Sequence, residues 1–219
     1  MPRLLFEKTG NAIWISHLDL MRLFQRAFKR AGLHLTHTQG FSPRPSVSIA
    51  LPLSVGVEST CELLDFELDG ETVACSEIHR RLNEALVPGV RVLQVYDTGR
   101  KLKELQFLHS QIILEYDNGI PTNAQDAFNG LFTQASLTVP KKSKNGMQDQ
   151  DIIPLIQRLE ILQAGEKELI LDATISCQNP ALNPMQLAAA IELHFPNLHP
   201  NFTRCRRIEI YDANMNIFR

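Results

Sequence analysis

Between Ser16 and Leu53 the apolar residues change period. Leu18, Met21, Phe24, Ala27, Phe28 and Ala31 recur at three- and four-residue steps, the stripe of an amphipathic helix, whereas Val47, Ile49 and Leu51 alternate as a half-buried strand does. A chain that makes this switch over one short break has to pack helix against sheet. Ser16 stands three residues before Asp19, an S-x-x-D capping box that starts the helix, and Gly32 ends it. The break itself, Gln39-Gly40-Phe41-Ser42-Pro43-Arg44-Pro45, carries two prolines that fix their own φ and hold the preceding residues extended.

The same alternation continues along the chain. Leu4 to Ile15 is β-prone around a Thr9-Gly10-Asn11 turn, and Cys61 to Leu68 is a strand. Ser76 caps a second helix, Glu77 to Leu86, closed by Pro88-Gly89, and Val90 to Tyr96 is a strand. A second round follows, with a strand at Phe107–Tyr116, a helix at Asn123–Thr133 and a strand opening at Ser136–Val139 before the polar turn Lys141-Lys142-Ser143-Lys144-Asn145-Gly146. Ile152 to Leu162 fits a short helix begun by Pro154 or a strand. Leu169–Ser176 is a strand, Pro184–Phe195 an Ala-rich helix capped by Asn183, and Arg206–Tyr211 a strand. Element order therefore predicts an α+β protein of tandem ferredoxin-like (βαββαβ) domains, residues 1–98 and 104–219, joined around Thr98-Gly99-Arg100-Lys101.

Charge is where composition enters. The formal net charge is only −2, but residues 1–50 hold seven Lys/Arg against two acids, and residues 51–100 hold four arginines against nine acids. In the first helix Arg22, Arg26, Lys29 and Arg30 are spaced to share one face. A solvated outer face is the ordinary explanation of such a run; the adjoining loop turns it into a candidate RNA-binding surface. Arg44 is suited to a phosphate, and Phe41 either stacks on a base or plugs the end of the core.

Other chemistry is sparse. Cys61, Cys75, Cys177 and Cys205 have neither disulfide-framework nor zinc-ligand spacing, so reduced, buried thiols are expected and no metal or cofactor. No run approaches the roughly 18 apolar residues of a membrane span, and the acid at Glu7 interrupts any signal-like start, which places the chain in the cytoplasm. His17, at the first helical turn, is the best single candidate for acid/base work, and Asp19 is explained by its capping position. The Lys141–Lys144 turn offers a phosphate contact or merely a solvated tip. None of the hydrolase, zincin, P-loop or dinucleotide signatures occurs.

The string S-H-L-D-L-M-R-L-F-Q-R-A-F-K-R-A-G-L, followed by Q-G-F-S-P-R-P-S-V-S-I-A-L-P-L-S-V-G-V-E-S, resembles the radical-SAM-linked family of uncharacterised bacterial proteins; D-I-I-P-L-I at Asp151–Ile156 also fits. Members of that family occur alone or fused behind a radical S-adenosylmethionine enzyme. The family commonly has histidine where Arg44 stands and lysine where Ser46 stands, which moves the cationic character within the loop. The chain has no C-x3-C-x2-C triplet, so the resemblance implies an accessory half whose enzyme is a separate polypeptide. The order of elements also looks like that of CRISPR repeat-processing endoribonucleases and, more loosely, of pseudouridine synthases. The function expected is a noncatalytic RNA-binding or substrate-recruiting module acting with a radical SAM enzyme on tRNA or rRNA. The alternatives are a metal-independent RNA-processing enzyme using His17 and an adaptor that docks a protein through the acidic middle segment.

Overall fold

The computed structural model describes residues 2–70, 72–143 and 146–219. Its contacts separate two units, one running to Glu104 and including Arg219, the other Leu105–Phe218.

In the first unit, β1 (Pro2–Lys8) leads through a 3₁₀ turn (Gly10–Trp14) into α1 (His17–Arg30). Then come β2 (Val47–Ile49), β3 (Val57–Phe66), α2 (Cys75–Ala85) and β4 (Val90–Asp97). β1 pairs antiparallel with both β3 and β4, and β2 pairs antiparallel with β3, giving the order β4-β1-β3-β2. The stripe seen in the sequence faces this sheet. Leu20, Phe24, Ala27 and Phe28 are buried, with Phe24 edge-on to Phe6 of β1 and Phe28 tilted against Phe66 of β3. Gly32, at φ +68°, closes α1 with a Schellman pair in which Leu33 N–H donates to Phe28 and Gly32 N–H to Lys29.

Residues 10–14 form the 3₁₀ turn instead of continuing the expected β-prone stretch. The buried Lys8 ammonium, 0% exposed, accounts for this by donating to the carbonyls of Ile13, Ile15 and Ser54 (3.0, 3.0 and 3.5 Å) and holding that backbone curled. β2 is shorter than the sequence pattern, and α2 begins one residue before the expected cap: Ala74, which offers no side-chain oxygen, occupies the N-cap.

The second unit runs β5 (Leu105–Glu115), α3 (Ala124–Phe132), β6 (Thr138–Ser143) and β7 (Gly146–Asp151). It continues with β8 (Ile156–Ala164), β9 (Glu168–Ser176), α4 (Met185–His194) and β10 (Phe202–Asp212). Four of these strands form the antiparallel order β10-β5-β9-β8. The strand that opens near Ser136 does not join them. β6 and β7 pair with each other as a separate hairpin, and the sheet strand is β8, preceded by a 3₁₀ turn at Ile153–Leu155. Both readings of residues 152–162 are thus realised in succession, Pro154 starting the turn and the Ile/Leu run forming the strand. Lys144 and Asn145 of the basic turn lie outside the described residues. Lys141, which does lie within them, donates its ammonium to the Ala181 carbonyl (2.9 Å).

The chain is therefore a mixed α+β protein, with mostly antiparallel sheet and four α-helices among the described residues.

Candidate nucleic-acid interface

The capping box that starts α1 is present in modified form. Ser16 Oγ accepts from the Asp19 N–H (3.2 Å), and its hydroxyl donates to Asp19 Oδ2 (2.7 Å). Arg22 then donates to Asp19 Oδ1 (2.9 Å). The Ser16 hydroxyl foremost, and the Arg22 guanidinium after it, hold the Asp19 carboxyl below its ordinary value.

All four expected cations are exposed, but they do not share one surface. Arg22, Arg26 and Arg30 line a groove of about 460 Å³ with Ile15, Asp19, Leu23 and Val87. Lys29 lines another, of about 300 Å³, with Gln25, His34, His37 and Pro45. Successive helical residues are separated by about 100°, so Arg30 and Lys29 fall on opposite flanks of the α1 ridge. Two of the arginines already have partners. Arg22 is bound to Asp19, and Arg30 donates to the carbonyl of Ala85 (2.6 Å), one of the α2 C-terminal carbonyls that no helical N–H reaches. Among the described residues Arg26 and Lys29 are in no ion pair.

The Gly/Pro loop is a clasped arch. Thr38 N–H donates to the Arg44 carbonyl (2.9 Å), Arg44 N–H donates back to Thr38 Oγ1 (3.0 Å), and His37 bridges to Pro45. Within the arch Gly40 takes φ +130°, a conformation that a side chain would strain. Phe41 stands at the tip, fully exposed, and Arg44 is exposed beside it. The core-plug reading of Phe41 is corrected here: clasping the arch at its base lifts the ring away from the core.

His17 is the first residue of α1 and is half-buried; its Nδ1 is buried with no hydrogen-bond partner among the described residues. Its position brings it no orienting carboxylate through that nitrogen. Of the thiols expected to be buried, Cys61 and Cys205 are so, while Cys75 and Cys177 are half-buried. Burial pushes Cys177 up to about 12 and Cys205 up to about 11, values at which neither is a nucleophile near neutral pH.

Two features escape a sequence reading. Trp14, at the end of the 3₁₀ turn, is 62% exposed. In the second unit Asp172 on β9 accepts from Gln111 Nε2 (2.9 Å) and lies 3.0 Å from His109 Nε2, both on β5. The single tryptophan was there to be noticed, but its exposure depends on the turn that Lys8 organises. The His109–Asp172 contact joins residues 63 positions apart, and strand alternation gives only the face each one occupies.

The fold and this surface define an α+β protein with a cationic helix beside a rigid aromatic arch. The family model described as "Uncharacterized protein conserved in bacteria (DUF2344)" matches residues 2–184, and the chain belongs to that family. Among curated proteins nothing matches. Among solved structures, a chain in the crystal structure of a Cbf5-Nop10-Gar1 complex is similar in fold, with TM-score 0.50 and 8% identity over 95% of this chain and 48% of that one. A chain of an H/ACA RNP bound to a substrate RNA containing 2'-deoxyuridine gives TM-score 0.49 and 6% identity over 94% of this chain and 46% of that one. An unknown protein from Galdieria sulphuraria gives TM-score 0.27 and 10% identity, with 97% of each chain covered. The chain spans about half the length of the first two. Among the described residues no helix is long and apolar enough to cross a membrane.

Proposed function

We propose that this chain is a noncatalytic RNA-binding or substrate-recruiting module that works in the cytoplasm with a separate radical SAM enzyme acting on tRNA or rRNA. Its plan is two ferredoxin-like domains, residues 1–98 and 104–219. The 4-1-3-2 strand order within each unit supports that plan, the β6–β7 hairpin being an insertion in the second. The observation that carries the RNA reading is the fully exposed Phe41 on its clasped arch, with Arg44 beside it and Arg22, Arg26, Lys29 and Arg30 on the helix that precedes it. A pre-formed aromatic tip loses little freedom on binding, and a ring among cations is what an unstacked base and its phosphates require. The link to a radical SAM enzyme is supported by the motif strings at residues 16–33 and 39–59.

The test is equilibrium binding of labelled tRNA and rRNA fragments, followed by anisotropy. The wild-type chain binds, and a Phe41→Ala/Arg44→Gln variant binds less well at unchanged thermal stability; no binding by the wild type overturns the proposal. The enzyme link is checked separately. Added to a purified radical SAM enzyme, the chain raises the yield of modified RNA, and an equal yield without it removes the recruiting role.

A further inference from the structure

Trp14 is the only tryptophan of the chain, and it is 62% exposed where most large apolar side chains are covered. Its position is fixed from both sides. The Lys8 ammonium holds the carbonyls of Ile13 and Ile15, which flank it in sequence, and also that of Ser54. Gly56 N–H donates to the Ile13 carbonyl (2.9 Å), and a Cβ on Gly56 would sit 3.5 Å from Trp14 Cζ3. The ring thus rests against the backbone of residues 54–56 while the rest of it meets solvent. Holding it there costs little freedom on binding, because the buried ammonium has already ordered the segments that flank and support it.

What lies next to the ring decides its partner. Ile15, the following residue, begins the groove that continues through Asp19, Arg22, Leu23, Arg26 and Arg30. Arg22, Arg26 and Arg30 repeat along it at four-residue steps, about 6 Å apart along the helix axis. An indole at one end of a row of guanidinium groups suits a nucleotide strand, with a base on the ring and successive phosphates on the arginines. A base can reach such a ring only if it is not already stacked and paired in a duplex.

We infer that Trp14 is a base-stacking residue and that the RNA taken by this surface presents unpaired nucleotides along the Arg22–Arg26–Arg30 groove. The inference rests on the RNA-binding reading above and narrows it to single-stranded segments.

Because the tryptophan is unique, its fluorescence reports on this position alone. The full chain is titrated with fluorescein-labelled oligoadenylate and, separately, with the oligoadenylate–oligouridylate duplex of the same length, recording the label's anisotropy and the indole emission together. The single strand binds more tightly and quenches the indole along the same isotherm. Trp14→Leu weakens single-strand binding roughly 5- to 150-fold, and Trp14→Phe retains most of the affinity. Single-strand binding with unquenched emission and no effect of Trp14→Leu overturns the inference but leaves RNA binding standing, as does equal affinity for the duplex. Equal quenching by polyglutamate also overturns it, in favour of an acidic protein partner. If neither RNA binds, the RNA-binding reading fails and the inference fails with it.

Discussion

The central strands of the two units treat their second faces differently. In the first unit β1 is buried on both sides, so Arg3 (1% exposed) and Lys8 lie in the interior beside leucine and phenylalanine, as do Asp65 and Glu62 on β3. In the second, β5 alternates strictly. Leu108, Ser110, Ile112 and Leu114 are buried, while Phe107, His109, Gln111 and Ile113 remain half-exposed. A doubly buried sheet can hold charge only where each charge is met. Arg3 meets Asp65 through both nitrogen–oxygen contacts (2.6 and 3.1 Å) and also donates to the Arg100 carbonyl, while Lys8 meets three carbonyls. Those interior bonds reach out to surface segments. Lys8 shapes the turn that carries Trp14 and leads into α1, so the binding surface of the first unit is set from within. The polar pairs of the second unit are made across neighbouring strands and organise no loop.

The largest expected effect tests the interior half of that comparison. Asp65→Ala, which leaves the Arg3 guanidinium buried without its carboxylate, lowers the unfolding free energy by about 3–5 kcal/mol in denaturant titrations. The matching change in the second unit, Asp172→Ala, removes contacts with His109 and Gln111 at a half-exposed site and costs roughly 1–3 kcal/mol. Equal costs would abolish the distinction between the two sheets.

Phe41→Ala comes next and separates surface from core. It weakens RNA binding by about 1–3 kcal/mol and shifts the unfolding midpoint hardly at all, since changes at exposed sites usually stay within about 0.5 kcal/mol. A loss of stability on the scale of a core phenylalanine, about 3–5 kcal/mol, would return the ring to the interior.

The smallest effect concerns Glu77 in the first turn of α2, whose carboxyl is lowered to about 2 by Arg80 and then Arg81. A carboxyl depressed in the folded state adds stability above its unfolded value, and that contribution is lost as the pH falls through the folded value. NMR titration of the Glu77 carboxyl therefore shows it ionised well below the usual range near 4.5, and Glu77→Gln removes this small part of the acid sensitivity between about 4.5 and about 2. A Glu77 that titrates at its ordinary value refutes the pairing.

Where a signal was local, it was legible in sequence. The Ser16–Asp19 box, the Gly32 stop and the stripe of Phe24 and Phe28 each depend on residues within one or two helical turns, and each is found in place. The four cations were legible as a helical set but not as two flanks, because the walls of each groove come from elsewhere in the chain, Val87 for one and Pro45 for the other. The β6–β7 hairpin was hidden for a similar reason. Its Thr138–Val139 start has strand propensity, but nothing nearby tells a strand that joins a sheet from one that pairs only with its neighbour. Lys8 reads as an ordinary surface charge until the curled backbone of Ile13 and Ile15 is seen around it.

The central claim is that the cations of α1 bind RNA phosphates, and salt dependence tests it most directly. Each phosphate contact releases counterions, so four contacts give a log–log slope of affinity against salt near −3 for this part of the surface. The measurement compares the wild-type chain with one in which Arg22, Arg26, Lys29 and Arg30 are all replaced by glutamine. A slope flattened by about 3, with the fold intact by circular dichroism, is the predicted result; the same affinity and the same slope in both proteins would contradict the account.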